Sequence, residues 1–328
     1  KSPASAILYS MGITQHTSGT DNVQSIANLA LICGQIGKEG AGVLPLRGHN
    51  NVQGACDMGA LAEFYPGYRK SDDPETAKFF SQAWANLNTS LPVGRGLTAT
   101  EMIDAACSGQ LKAMYIMGED PANSDPYSSH VKDCLEELDF LVVQDIFMTA
   151  TAQLADVVLP AASWAEKEGS YTSTERRVQW SNRAVEPPGE AKSDLEILCM
   201  VANSLGLKFD YPDATSVLAE INNLVPAYKG ITRQRLGTGG LIWPCPGIDH
   251  PGTPILHSSG FRLQDRRALI APVQYRPAAE DVGLEYDGLL SGDCLLVDIS
   301  SVKARVMEFL RSQDRPVLSI HPFFGPAT

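Results

Sequence analysis

The chain has 328 residues, 44% of them hydrophobic and 20% charged, with a formal net charge of −12. That length holds two or three domains with a substantial core. The acidic balance excludes a general nucleic-acid binder, whose phosphate contacts need clustered Lys and Arg, and no apolar run reaches the ~18 residues of a membrane-spanning helix.

The first residues, KSPASAILYS, lack a Met and read as the interior of a longer polypeptide. Residues 5–11, SAILYSM, predict a short buried strand, and GITQHTSGTDN a polar, glycine-broken loop. Asp21 or Asn22 caps a helix over VQSIANLALICGQIG, which brings Val23, Ile26, Ala27, Ala30, Leu31 and Ile36 near one face. Gly37 and Gly40 are expected to end it. An irregular loop, LPLRGHNNVQGACDMG, follows over 44–59.

A second pattern starts near Thr98. TATEMIDAACSG predicts a helix, LKAMYIMG a strand, EDPANSDP a loop, HVKDCLEEL a helix, and DFLVVQD and ADVVLPAA two further strands. This alternation indicates a parallel α/β sheet, whose ligands lie beyond the carboxyl ends of the strands. The loops at that place are Gly118–Ser124 and Gln144–Thr149. Further on come a strand at RVQWS, a helix over 194–205, an irregular stretch over 225–259 and a tail of apolar or alternating segments that suggests a small β domain.

The seven cysteines, Cys33, Cys56, Cys107, Cys134, Cys199, Cys245 and Cys294, are scattered, odd in number and free of CxxC spacing. Neither a disulfide framework nor a zinc or iron–sulfur site held by this chain alone is expected. A reducing compartment and small buried thiols are the simpler reading.

Two loops carry candidate ligand groups. Asp120 can accept hydrogen bonds from a ribose diol or a guanine N–H pair, and Ser124 can hold a phosphate or hydroxyl. Asp145, with Gln144 beside it, supplies a second acid at the end of the neighbouring strand. Each acid can equally cap a turn or helix. This is a nucleotide-site pattern without a GxGxxG phosphate loop. MGITQHTSGTDN and LRGHNNVQG are richer in amides than plain turns and suit a large, heteroatom-rich ligand, with Arg47 facing an anion through its fork or pairing at the surface.

YSMGITQHTSGTDN, RGHNNVQGACDMG, MYIMGEDPANSD, VVQDIFMTATAQLADVVLPAASWAEKEGSYTSTERRVQ and EAKSDLEIL resemble the molybdopterin oxidoreductase superfamily, most closely formate dehydrogenase catalytic subunits. The resemblance spans about residues 5–250, and its fold is multi-domain α/β, with parallel α/β sheet domains and a small C-terminal β-barrel-like domain. It implies a bis(molybdopterin guanine dinucleotide) cofactor carrying molybdenum or tungsten. Arg47 matches the arginine that holds formate and turns its C–H toward the metal's sulfido ligand. Met11, Gly12 and Gln15 match a cofactor-contacting loop. His49 stands where close relatives often have Gln, beside the pterin, and Ala161 where a relative has Ser. Gly118, Asp120, Ser124, Gln144, Asp145 and Asp194 match positions around the guanosine parts.

The resemblance also divides the chain. Residues 1–49 end an α/β domain carrying the arginine, and 50–161 form an α/β nucleotide-binding domain. Residues 162–254 form a mixed segment, and 255–328 a partial C-terminal β domain. The segment that grips a second pterin would follow Asp287, where this chain passes straight to SGDCLLVDIS. The Cys or selenocysteine metal ligand and a 4Fe-4S cluster are expected N-terminal to this chain. Electrons from formate, released with CO2, would leave through that cluster to iron–sulfur or flavin subunits. The location implied is cytoplasmic, or periplasmic if an export signal lies upstream. The rival readings are a nitrate-type or other oxyanion enzyme with the same cofactor, and an inactive cofactor-binding module.

Overall fold

Short apolar runs separated by an amphipathic helix dictate the first motif. Strand β1 (Ala6–Tyr9) leads through α1 (Met11–Thr14) and α2 (Gly19–Ile32) to β2 (Gly42–Pro45). The two strands pair in parallel from Ala6 opposite Gly42 to Tyr9 opposite Pro45, so the helix is the crossover that a parallel pair requires. The computed structural model describes residues 2–85, 91–261, 263, 265–275, 296–298 and 317–319.

Helix α2 stops earlier than Gly37. The Gln35 N–H bonds the Ala30 carbonyl at 2.7 Å and the Gly34 N–H bonds that of Leu31 at 3.0 Å. Gly34 is left-handed, with φ +61°. This is the Schellman ending, which a glycine directly after the cap completes. Gly37 and Gly40 belong to the loop beyond it.

The chain divides into two units, Lys1–Leu46 with Ile255–Thr328, and Arg47–Pro254. In the first, Asn28 on α2 donates to the Ala271 carbonyl (2.8 Å) and accepts from its N–H (3.1 Å), tying the helix to the returning chain.

The second unit begins with α3 (Val52–Asp57), a hairpin of the two-residue strands β3 (Phe64–Tyr65) and β4 (Arg69–Lys70), and α4 (Pro74–Ala83). Asp73 caps α4 through the Glu75 N–H, with Pro74 at the first helical position. Then come α5 (Ala99–Cys107), β5 (Ala113–Met117), α6 (Pro121–Ser124), α7 (Ser128–Glu136), β6 (Phe140–Asp145) and β7 (Val157–Pro160). The three strands form one parallel sheet in the order β5-β6-β7, with Met117 opposite Gln144 and Asp145 opposite Pro160. Leu141 and Val143 alternate onto the face that α5 and α7 cover, where Ile103, Ala106, Val131 and Leu135 complete a buried cluster.

That packing overturns one expectation. Cys107 at the end of α5 and Cys134 on α7 form a disulfide. The two lie 27 residues apart, and only the side-by-side placement of their helices on the sheet joins them.

β8 (Gly169–Thr172), β9 (Arg177–Ser181), α8 (Asp194–Ser204), α9 (Ala214–Leu224), α10 (Arg233–Leu236) and β10 (Leu241–Ile242) complete the unit. β8, β9 and β10 form an antiparallel sheet in the order β10-β9-β8 over a second core of Val178, Leu218, Val225, Ile231 and Leu236. The stretch expected to be irregular thus contains a 3-10 turn at Pro226–Tyr228, one short α-helix and one short strand. Beyond it, β11 (Leu296–Asp298) and β12 (Val317–Ser319) pair in parallel. Most of the expected C-terminal β domain lies outside the described residues, and among the described residues no barrel closes. No described helix is long and apolar enough to cross a membrane.

Candidate functional site

The carboxyl ends of β5, β6 and β7 point the same way, and their loops enclose a cavity of about 330 Å³. Gly118, Gln144, Asp145 and Asp194 all line it, with Trp164 and Lys167. Gly118 ends β5 at φ +64°, its N–H bonding the Gln144 carbonyl at 2.8 Å. A Cβ built there meets nothing within 4 Å, so the backbone conformation, not crowding, calls for glycine.

Gln144 is fully buried, and both ends of its amide are engaged. Its Oε1 accepts from the Tyr115 hydroxyl at 2.5 Å, and its Nε2 donates to Asp194 Oδ1 at 2.7 Å. Asp194 Oδ2 in turn accepts from Lys167 Nζ. Asp145 accepts from the Phe147 N–H through Oδ1 at 3.1 Å. The cavity thus presents two carboxylates and one ammonium group beside an exposed indole.

Asp194 reaches this place by backbone pairing. The chain at Lys192 runs parallel to Ala161, just past β7, with the Ala162 N–H on the Lys192 carbonyl at 2.7 Å. Ser193 then starts α8 with a reciprocal cap. Its N–H donates to Glu196 Oε2 at 2.9 Å, and the Glu196 N–H donates to its Oγ at 3.3 Å. Asp194, the first helical residue, is thereby aimed at the sheet's edge. The Ser193 bonds, acting together against burial and aided by nearby Lys192 and Arg183, lower the Glu196 pKa.

Asp120 and Ser124 do not line the cavity. Burial pushes the Asp120 pKa up, but hydrogen bonds dominated by Thr151 outweigh it and hold the group below the ordinary value. Its Oδ1 accepts from the Thr151 N–H at 2.9 Å and hydroxyl at 2.6 Å. Asp120 therefore locks one loop to the next, the turn-holding alternative open to such an acid. Ser124 is exposed, its hydroxyl 3.3 Å from Asp125 Oδ1. A larger, open hollow beside α4, lined by Arg69, Asp73 and Phe79, contains none of the residues singled out from the sequence.

Arg47 and His49 are exposed at the start of the second unit. The Arg47 N–H bonds the Thr174 hydroxyl at 3.2 Å, and its Nη2 lies 3.5 Å from Gln53 Oε1. Behind Gln53 is a buried acid. Gln53 Nε2 donates to Asp57 Oδ1 at 2.8 Å, the Tyr68 hydroxyl donates to the same oxygen at 2.8 Å, and the Tyr228 hydroxyl donates to Oδ2 at 2.5 Å. Tyr68 Oη also accepts from Gln53 Nε2 at 3.0 Å. Two partners of the amide nitrogen thus turn the Gln53 carbonyl oxygen toward Arg47. Burial raises the Asp57 pKa, with the hydrogen bonds from Tyr228, Tyr68 and Gln53 opposing it. Burial and the Asp57 charge push the Tyr228 phenol far up, so it remains a donor.

In the first unit, Met11 and Gly12 open α1 and Gln15 caps it, its N–H on the Met11 carbonyl at 2.9 Å. All three are exposed, and the Gly12 carbonyl lies 3.0 Å from His16 Nε2.

Sequence reasoning missed Lys167, Trp164 and the Gln53–Asp57–Tyr68–Tyr228 network. A lysine among polar residues carries no local signal. Asp57 and Tyr228 are 171 residues apart.

A family model described as molybdopterin oxidoreductase matches residues 1–204. The chain is 47% identical over 321 residues to the F420-dependent formate dehydrogenase subunit alpha of Methanocaldococcus jannaschii, covering 97% of this chain and 47% of that protein. To the F420-dependent formate dehydrogenase 1 subunit alpha of Methanococcus maripaludis it is 48% identical over 285 residues, covering 86% of this chain and 41% of that one. To formate dehydrogenase H of Escherichia coli it is 43% identical over 243 residues, covering 74% and 34%. The chain spans less than half the length of these relatives. The matched span runs from before β1 to the end of α8, the helix that brings Asp194 to the cavity, and the chain belongs to the molybdopterin oxidoreductase family.

Proposed function

We propose that this chain is the part of a formate dehydrogenase catalytic subunit that holds the guanosine end of a molybdopterin guanine dinucleotide and presents Arg47 to formate. The observation that carries this reading is the convergence of Gly118, Gln144, Asp145 and Asp194, from three segments of the chain, on one cavity. Relatives named as formate dehydrogenase alpha subunits supply the substrate, and their subunit naming suggests further subunits; that these carry iron–sulfur or flavin groups is our proposal from the resemblance.

The donor set fits the group. Two carboxylates suit the N–H edge of guanine or a ribose diol, and the Trp164 indole, 72% exposed, offers a stacking face. Lys167 pairs with Asp194 and can approach a phosphate. The cavity lies at the lower end of ordinary ligand pockets, which run from ~300 Å³ upward. Asp120 acts here by fixing the loop that follows Gly118, and His49 would meet the pterin.

When bound as a bis(molybdopterin guanine dinucleotide), the molybdenum or tungsten centre supplies the two-electron acceptor for HCOO⁻ → CO2 + H⁺ + 2 e⁻. Arg47 binds and orients. Its planar fork matches a one-carbon carboxylate, and Gln53 limits the rotation of that fork. A 4Fe-4S cluster outside this chain would carry the electrons on.

The test is formate-dependent dye reduction by the full-length protein, with nitrate-dependent dye oxidation as the contrasting assay and guanine nucleotide released from the denatured protein as the cofactor readout. Arg47→Ala is expected to retain metal and nucleotide and to lose at least the ~10²-fold in turnover typical of a removed electrostatic group. Full formate activity in Arg47→Ala would remove the assignment, and nitrate activity without formate activity would replace the substrate.

A further inference from the structure

Outside the cavity, one cluster of ligating side chains is unused by this function. Cys107 ends α5, and His130 and Cys134 lie one turn apart on α7. Their ligand atoms all fall within 4.8 Å of one another. Cys134 Sγ is 3.7 Å from His130 Nδ1 and 3.5 Å from Nε2. A tetrahedral ion with Zn–N near ~2.0–2.1 Å and Zn–S near ~2.3 Å sets a nitrogen–sulfur edge of about 3.5 Å. The Nδ1–Sγ pair, at 3.7 Å, lies close to that edge.

We propose that Cys107, His130 and Cys134 form a site for a thiophilic divalent cation of the zinc class, and that the disulfide is the oxidised, metal-free form of that site. The spacing supports it. His130 and Cys134, at i and i+4, project from the same face of α7, and Cys107 meets them from the neighbouring helix. The ring is also held from behind. Tyr127 stacks on His130 at 5.4 Å between centroids, and Asp104, one turn before Cys107, puts Oδ1 3.7 Å from Nε2. Coordination through Nδ1 leaves Nε2–H to Asp104, the carboxylate–histidine–metal arrangement that orients such ligands. Cys134 is fully buried against the core while Cys107 is exposed, so one ligand is fixed and the other opens a path for the ion.

An external dithiol gives two electrons and two protons to the Cys107–Cys134 bond and leaves as its own disulfide. The cation then displaces two protons from the thiols and takes up neutral His130, with water in the fourth position.

The test uses the full-length protein, reduced with a dithiol, incubated with zinc ion and desalted. One zinc per chain beyond that of Cys107→Ser is expected, with two sulfur neighbours at about 2.3 Å by X-ray absorption. Mild oxidation should release that zinc as the two thiols disappear, and Asp104→Asn should weaken binding by ~10–100-fold, as loss of an orienting partner does. Cys107→Ser changes an exposed position, and circular dichroism checks its fold. The proposal fails if reduced wild type, with both thiols titratable, retains no more zinc than Cys107→Ser, or if oxidation of the pair leaves the zinc in place.

Discussion

Replacing Asp57 by Ala and by Asn separates the two things this residue does. In Asp57→Ala, Gln53 Nε2, Tyr68 Oη and Tyr228 Oη lose one acceptor at once. Tyr228 still has Thr172 Oγ1 at 3.2 Å, and Tyr68, 40% exposed, can turn to water. Gln53, only 7% exposed, keeps Tyr68 Oη for one amide hydrogen, but the other has no outlet. A stranded buried donor costs ~1–3 kcal/mol, and the vacated volume adds to it. We expect a loss of ~2–4 kcal/mol after the relief of burying a charge is subtracted. Asp57→Asn keeps Oδ1 for Gln53 and Tyr68, while its Nδ2 donates to Tyr228 Oη and the phenol hydrogen passes to Thr172. Its cost should stay within ~1 kcal/mol. Denaturant unfolding followed by tryptophan fluorescence measures both. The Ala variant also frees the Gln53 amide to present its NH2 group to Arg47, so formate KM should rise several-fold in Ala and hold in Asn. Equal destabilisation by Ala and Asn, or an unchanged KM in Ala, would refute the account.

The Asp57 carboxyl also sets a pH dependence. Its folded pKa is raised above the unfolded value near ~3.9. The stability it contributes is complete below the unfolded value and lost as pH rises through the folded one. Wild type should therefore gain on Asp57→Asn as pH falls into that window, which paired unfolding curves will show. Ser193→Ala removes one half of the α8 cap and should cost ~1 kcal/mol, with weakened nucleotide retention, because Asp194 is the next residue. Lys167→Gln leaves Asp194 without its cation, and retention of the guanosine end should fall, read as nucleotide per metal in the purified protein.

Local periodicity carried much of this fold. Strands β5, β6 and β7 are short apolar runs between helices, and their parallel pairing follows from that alternation. Local chemistry misled at α2, where three glycines compete. Only the residue directly after the cap can complete the Schellman bonds, and that is Gly34. The acids at the ends of β5 and β6 had two readings each, and packing places them differently. Asp120 turns to Thr151, while Asp145 lines the cavity. Asp194 came from the resemblance alone, because the pairing of Lys192 beside Ala161 leaves no periodic trace. The Cys107–Cys134 bond and the Asp57–Tyr228 contact were invisible for the same reason. Both depend on which elements lie side by side, and no local pattern encodes that.

The turn at Ser173–Arg177 has a consequence for how this protein can be taken apart. Thr174 holds the Arg47 N–H, and Arg176, in a left-handed conformation with φ +67°, grips the carbonyls of Thr253 and Pro254 at 3.1 Å each. One bend therefore clasps both the way in and the way out of the stretch 47–254. A stretch gathered at a single knot behaves as a cassette, the topology that tolerates being lifted out or spliced into another host.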